Sequence, residues 1–137
     1  MRILIIDGQG GGMGAKLVAA LKEAALPGAE LIGVGTNVLA ANAMLKAGAD
    51  GAASGENAIA VNAARADVIL GPIGIVMANS LLGEITPRMA EATASSSAEK
   101  ILIPAGRCCV RIAGLAQKPM DSYIAEAVAL VKKRAAE

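Results

Sequence analysis

Five glycines fall within seven positions near the start of the chain, in the stretch GQGGGMG that runs from Gly8 to Gly14. An apolar segment, Arg2–Asp7, precedes the stretch, and a segment with helical spacing of apolar residues follows it. A turn between a strand and a helix exposes free backbone N–H groups at the positive end of the helix dipole, which attracts phosphate. Glycine there also lets phosphate oxygens approach the backbone closely. The stretch therefore predicts a site for the phosphate of a nucleotide.

Two dehydrogenase patterns fit this loop. Gly8, Gly12 and Gly14 match the G-x-x-x-G-x-G loop of short-chain dehydrogenases. Gly10, Gly12 and Ala15 match the G-x-G-x-x-A form of the Rossmann fingerprint. The phosphate loop of NTPases does not fit, because Gly14 is followed by Ala-Lys-Leu instead of Lys and Ser or Thr. The loop indicates NAD, NADP or another nucleotide as the cofactor, and a tight turn without any ligand is the alternative.

The residues that dehydrogenase chemistry needs are absent from their expected places. A dinucleotide site has an acid at the end of the second strand for the ribose hydroxyls, where this chain has Gly35, Thr36 and Asn37. Thr36 can bond to a ribose or to a 2′-phosphate. The Tyr-x-x-x-Lys pair fails, because Tyr123 is followed four residues later by Ala127. Histidine, the commonest general base and metal ligand, does not occur. The sequence favours binding over catalysis, leaves an enzymatic activity open and predicts no metal site.

Two acidic residues are candidates for roles beside the loop. Asp7 ends the first predicted strand, and it can hold a ribose, a metal-bound water or the N–H groups of the loop itself, of which the last is favoured. Glu84 lies in a turn before Thr86 and Pro87, which predict the start of a helix. Glu84 either closes over the cleft or is a solvated turn residue.

Small and polar residues also follow the other predicted strands. In a doubly wound sheet, ligands bind at the carboxyl ends of the strands, where this chain places Gly35–Asn37, Ser54–Asn57, Gly71–Gly74 and Pro104–Arg107. We expect these loops to line one cleft with the glycine loop. The predicted cofactor-binding residues are Asp7, Gly8, Gln9, Gly10, Gly11, Gly12, Met13, Gly14, Thr36, Asn37, Gly71, Pro72 and Ile73.

Cys108 and Cys109 are the two cysteines of the chain, and they are adjacent. Adjacent cysteines rarely pair with each other, so the chain is not a disulfide scaffold and fits a reducing cytoplasm. Arg107 precedes them and can contact phosphate. Inert thiols are the favoured interpretation, and redox activity stays open.

The composition predicts a densely packed aliphatic core. Of the 137 residues, 55% are hydrophobic, but Tyr123 is the one aromatic residue. A small domain this apolar can keep apolar surface for a second copy of itself, so we expect a homo-oligomer. The apolar segment Ile73–Leu82 is the candidate contact surface.

The charge balance excludes several classes of partner. A net charge of +1 gives no footprint for nucleic acid or for an anionic membrane surface, and one aromatic residue provides no platform for stacking single-stranded bases. The chain contains neither an apolar run long enough to cross a membrane nor a recognisable signal peptide. We therefore expect a cytoplasmic protein.

Predicted strands and helices alternate along the whole chain. The predicted strands are Arg2–Asp7, Glu30–Gly35, Gly51–Ala53, Asp67–Leu70 and Lys100–Pro104, with Val110–Leu115 as a sixth candidate. The longer predicted helices are Ala15–Ala25, Val38–Ala47, Val76–Leu82, Pro87–Ser96 and Ser122–Arg134. Thr36 or Asn37, Thr86 and Asp121 are the expected helix caps. This pattern is typical of an α/β fold, here a single three-layer Rossmann-like domain over residues 1–137 with a five- or six-stranded, mostly parallel sheet.

Several stretches that cover most of the chain up to about Arg107 carry a resemblance to a known family: ILIIDGQGGGMG, VGTN, AMLKAGAD, SGEN, ADVILGPIGIVMANSLLGEITP and KILIP. They resemble a family of short bacterial proteins described as domain of unknown function 3842. The resemblance implies a stand-alone cytoplasmic domain and no particular substrate. Two hypotheses follow from the residues: a nucleotide-binding protein, or a non-enzymatic oligomeric interaction or scaffold protein whose glycine loop is purely structural.

Overall fold

The computed structural model describes residues 1–105 and 109–137. Its strands are β1 (Arg2–Asp7), β2 (Glu30–Gly35), β3 (Gly51–Ser54), β4 (Val68–Pro72) and β5 (Glu99–Ile103). They form one parallel sheet in the order β3-β2-β1-β4-β5. The strand order reverses between β1 and β4, so the carboxyl end of β1 borders the crevice where doubly wound sheets bind ligands.

Helices cover both faces of the sheet. They are α1 (Gly12–Ala24), α2 (Val38–Lys46), α3 (Glu56–Ala63), α4 (Pro87–Ser95) and α5 (Met120–Ala136), with a short 3₁₀ helix at Ile73–Val76. One core cluster joins α1, α2 and α5 to one face, and a second joins α3, α4 and the 3₁₀ helix to the other. Because β1 is buried on both faces, its side chains from Ile3 to Ile6 are all apolar. The three-layer Rossmann-like fold is confirmed, with five strands that all run parallel.

Two predicted element boundaries and one predicted strand are wrong. The segment Val110–Leu115 contains a turn, closed by the Leu115 N–H on the Ile112 carbonyl at 3.2 Å, and no strand. The last helix begins at Met120 after Pro119, so Asp121 lies inside its first turn and is not its cap. The first helix begins at Gly12 and not at Ala15, because a bond from outside the helix fixes its first turn.

Residues 76–82 do not form the predicted helix. Asn79, Leu81 and Leu82 have positive φ angles of 65°, 55° and 56°, and left-handed residues cannot continue a right-handed helix. The 3₁₀ helix occupies the position of the predicted turn instead, and Ile75 within it is fully buried in the second core cluster. Ile75 therefore belongs to the core and is unsuited to the contact surface predicted for this segment.

None of the helices that the structure describes is both long enough and apolar enough to span a bilayer.

Candidate functional site

The glycine loop forms a tight turn between β1 and α1. Gln9 and Gly11 have positive φ angles of 50° and 74°, and the Gly11 N–H donates to the Gly8 carbonyl at 2.9 Å. Gly11 is the residue that caps the N-terminus of α1, and it has no side chain to satisfy the free N–H groups of the first turn. These groups therefore depend on neighbouring residues or on a ligand.

Asp7 satisfies two of the loop's N–H groups. Its Oδ1 accepts the Gly8 N–H at 2.8 Å, and its Oδ2 accepts the Gly14 N–H at 2.7 Å. The side chain is only 6% exposed, and this burial raises the pKa of the Asp7 carboxyl, although the two N–H bonds act in the opposite direction. Of the three roles considered for Asp7, the geometry matches the structural one.

Three of the five glycines are required by packing. A Cβ at Gly8 would lie 2.7 Å from Thr36 Oγ1 and 2.9 Å from Leu81 Cδ1. At Gly11 it would lie 2.7 Å from the Cα of Ala40, in addition to the positive φ angle. At Gly14 it would lie 2.7 Å from the sulfur of Met44. These glycines let the loop and α1 pack against α2 and against the turn at residues 79–84.

The other two glycines have no such requirement. A Cβ at Gly10 or at Gly12 would meet no atom within 4 Å, and neither residue has a positive φ angle. The backbone N–H groups of Gly10, Gly12 and Met13 donate to no other described residue. At these positions the chain has a bare backbone with free donors beside open space.

A cavity of about 190 Å³ lies over this part of the loop. Its described lining residues are Asp7, Gly8, Gln9, Gly10, Gly11, Gly12, Met13, Pro72, Leu81 and Ala105. Pro72 ends β4 and Ala105 follows β5, so the cavity opens at the crevice between β1 and β4. Leu81 also lines the cavity, although no sequence pattern predicted it, because an irregular turn brings it over Gly8.

Five residues of the predicted binding set do not line this cavity. Gly14 and Gly71 are buried, and a side chain at Gly71 would overlap the Ile6 carbonyl. Ile73 lines a separate apolar cavity of about 250 Å³ beside β5 and α5. Thr36 and Asn37 lie next to the loop but bond elsewhere.

Glu84 accepts hydrogen bonds from the side chains of Thr36 and Asn37. Its Oε1 accepts bonds from Thr36 Oγ1 at 2.5 Å, from Asn37 Nδ2 at 2.9 Å and from the Gln9 N–H at 2.8 Å. The Thr36 bond is the largest of the influences that lower the pKa of the Glu84 carboxyl. Glu84 therefore contacts the loop on the side that faces β2, and it is not among the described residues that line the cavity.

The remaining loops contribute little to the cavity. Glu56 accepts the Thr86 hydroxyl at 2.6 Å, and neither residue lines it. From the loop after β5, Ala105 lines the cavity, while Gly106, Arg107 and Cys108 lie outside the described residues; Cys109 is exposed. The prediction that all the loops line one cleft is therefore wrong for Gly35–Asn37 and for Ser54–Asn57. Within residues 1–105 and 109–137, no group of three or more His, Cys, Asp or Glu residues could hold a metal ion.

Comparison with known proteins places the chain in a family. A crystal structure described as a dodecameric FMN-dependent Ubix-like decarboxylase from Escherichia coli O157:H7 is similar with a TM-score of 0.44 and 17% sequence identity, over 99% of this chain and 76% of the other. No curated protein matches the chain. The model of the family described as Domain of unknown function (DUF3842) matches residues 2–136, so the chain belongs to that family.

Proposed function

We propose that this protein binds a nucleotide and that the ligand's phosphate lies on the loop Gly8–Gly14. The observation that carries the proposal is the pair Gly10 and Gly12, which line the cavity and lack a side chain although no neighbour and no backbone angle requires glycine there. Glycine loses more conformational freedom on folding than any other residue, so keeping it where nothing requires it has a cost in stability. A ligand that approaches the backbone closely is a physical reason to keep it.

The chemistry of the cavity suits an anionic group held by the backbone. The N–H groups of Gly10, Gly12 and Met13 have no acceptor among the described residues, and they lie at the positive end of the α1 dipole. Pro72, Leu81 and the Met13 side chain add apolar surface against which a ring can pack. Asp7 is the one ionisable side chain among the described lining residues, and both of its oxygens already accept N–H bonds. These features support binding more than acid–base catalysis.

The alternative, a purely structural loop in a scaffold protein, accounts for only part of the loop. It explains Gly8, Gly11 and Gly14, whose missing side chains make room for Thr36, Ala40 and Met44. It gives no reason for glycine at positions 10 and 12.

A thermal-shift panel on the purified, ligand-stripped protein tests the proposal. The panel contains NAD(H), NADP(H), ATP, GTP, FMN, FAD and coenzyme A. A true ligand at 100 times its dissociation constant adds about 2.7 kcal/mol to the free energy of unfolding. Gly12→Val should abolish the shift, because it adds a side chain at a residue that lines the cavity, while the circular dichroism spectrum stays that of the wild type.

Ala19→Val is the matched control, since it places the same side chain on an exposed position of α1 two turns beyond Gly12. It should keep the ligand shift. If no nucleotide in the panel raises the melting temperature of the wild type, the proposed function is wrong.

We extend the proposal to self-association through the outer face of α2. Val38, Leu39 and Leu45 are exposed there, and Lys46 is the one charged residue of the helix. Leu39→Glu should lower the mass measured by light scattering, whereas Ala19→Glu on α1 should leave it unchanged. A wild type that is monomeric at high concentration would rule this part out.

A further inference from the structure

We infer that Glu84 makes the loop a site for a mononucleotide and excludes a dinucleotide. The inference rests on the proposed function and narrows its ligand class. The evidence for it is the set of side chains that fill the side of the loop facing β2.

The polar groups at the end of β2 are engaged within the chain. A dinucleotide in this type of fold places one ribose at the end of the second strand, where a side chain bonds to its hydroxyls. Here that position has Thr36 and Asn37, and both donate to Glu84 Oε1. Asn37 Oδ1 in addition accepts the Ala40 N–H at 2.9 Å and so caps α2. A ribose at this position would have to displace bonds that also hold a helix.

The space on this side is filled as well. A Cβ at Gly8 would lie 3.0 Å from Glu84 Oε1 and 2.9 Å from Leu81 Cδ1, so these two side chains rest directly on the loop backbone.

The opposite side of the loop is open. Gly10, Gly12 and Met13, whose N–H groups donate to no other described residue, line the cavity together with Pro72 and Ala105, at the ends of β4 and β5. Its volume of about 190 Å³ lies below the roughly 300–1,000 Å³ of pockets that enclose larger ligands. One phosphate and part of the group attached to it fit this space, and the rest of the ligand extends over β4 and β5.

Calorimetric titration of the full, ligand-stripped chain tests the inference with two matched pairs of probes, AMP against NAD⁺ and FMN against FAD. Each dinucleotide contains a mononucleotide and adds a second one to it. For the pair that binds, the wild type should bind the mononucleotide about tenfold or more tightly than the dinucleotide, which corresponds to about 1.4 kcal/mol or more. Glu84→Ala should reduce this ratio by improving the affinity for the dinucleotide. Glu91→Ala, at an exposed position of α4, is the control and should leave the ratio unchanged.

The outcomes distinguish a failure of the inference from a failure of the proposed function. A dinucleotide that binds to the wild type as tightly as its mononucleotide overturns the inference and leaves the proposed function intact. If none of the four probes binds and no nucleotide of the thermal-shift panel raises the melting temperature, the proposed function fails and the inference fails with it. The wild-type ratio tests the preference for a mononucleotide even where Glu84→Ala does not fold.

Discussion

The Asp7 carboxylate and the Gly14 backbone N–H lie 2.7 Å apart, and this bond joins the end of β1 to the first turn of α1. The same carboxylate also accepts the Gly8 N–H, so both ends of the glycine loop are attached to one side chain. These bonds within the protein therefore hold the loop in its shape, and no ligand is needed for it.

Asp7→Asn should lower the free energy of unfolding by about 1–3 kcal/mol, because the amide places an NH₂ group where the aspartyl side chain has an oxygen, and one buried N–H loses its partner. Urea unfolding measures the loss, with the exposed Asp121→Asn as the control. Circular dichroism should show an unchanged fold before denaturant is added. Equal stability of Asp7→Asn and the wild type would mean that the two bonds do not hold the loop.

The pH dependence of that loss has a definite sign. Burial raises the pKa of Asp7 in the folded state, so ionisation of this group opposes folding. The stability that the protonated group contributes is present below the ordinary aspartate pKa and is lost as the pH rises through the raised, folded-state value. The difference in stability between wild type and Asp7→Asn should therefore narrow as the pH rises through this range.

Glu84 should show the opposite behaviour. Its bonds with Thr36, the Gln9 N–H and Asn37 lower its pKa in the folded state. The stability that its ionised form contributes is present above the ordinary glutamate pKa and is lost as the pH falls through the lowered value. Melting temperatures across an acid pH series should fall less steeply for Glu84→Gln than for the wild type, whereas Glu91→Gln should follow the wild type. Parallel curves for Glu84→Gln and the wild type would contradict the assignment.

Alanine at two neighbouring positions of the loop should have effects of opposite sign on stability. Gly11→Ala should destabilise the fold by about 1–2 kcal/mol or more, because a left-handed residue with a Cβ is strained and this Cβ would also meet Ala40. Gly12→Ala should stabilise it by up to about 1 kcal/mol, since alanine is the better helix former and meets nothing. Urea unfolding of both variants is the measurement. A loss of stability in Gly12→Ala would show that this glycine serves the fold after all.

Glycine substitutions at Leu81 and at Leu82 should also change the stability of the fold in opposite directions. Both are left-handed, but Leu81 packs over Gly8 while Leu82 is 98% exposed. Leu82→Gly should raise the free energy of unfolding by about 0–1 kcal/mol, because it relieves the strain of a left-handed leucine. The gain is small because glycine has greater entropy in the unfolded chain. Leu81→Gly should be destabilising, because it also removes the apolar contact. Thermal melts of the two variants should therefore move in opposite directions.

Much of the fold could be predicted because it depends on neighbouring residues in the sequence. The apolar runs at Arg2–Asp7 and Glu30–Gly35 identify buried strands without reference to the rest of the chain. Asn37 and Thr86 cap their helices through bonds to N–H groups three residues later, which is a local relationship. The predicted sixth strand, Val110–Leu115, does not form. A strand needs a neighbouring strand to pair with, and the apolar pattern of this segment does not specify one.

The site was less predictable because its bonds join residues that are far apart in the sequence. No local pattern distinguishes Gly11, which Ala40 requires to be glycine, from Gly12, which faces the cavity. Glu84 appears in the sequence as an ordinary acid in a turn. Its position depends on three hydrogen-bond donors, one in the loop after β1 and two in the loop after β2. The start of α1 likewise depends on Asp7 and not on helix propensity.

The bond between the Gln9 N–H and Glu84 has a consequence for the order in which the site assembles. It links residues 75 positions apart, so it is present only when the turn at residues 79–84 has docked against the loop. Hydrogen exchange at the Gln9 amide thus reports the docking of that turn, while the free amide of Gly10 next to it reports solvent access to the cavity. Two adjacent backbone amides provide separate signals for the closed side of the loop and for the open one.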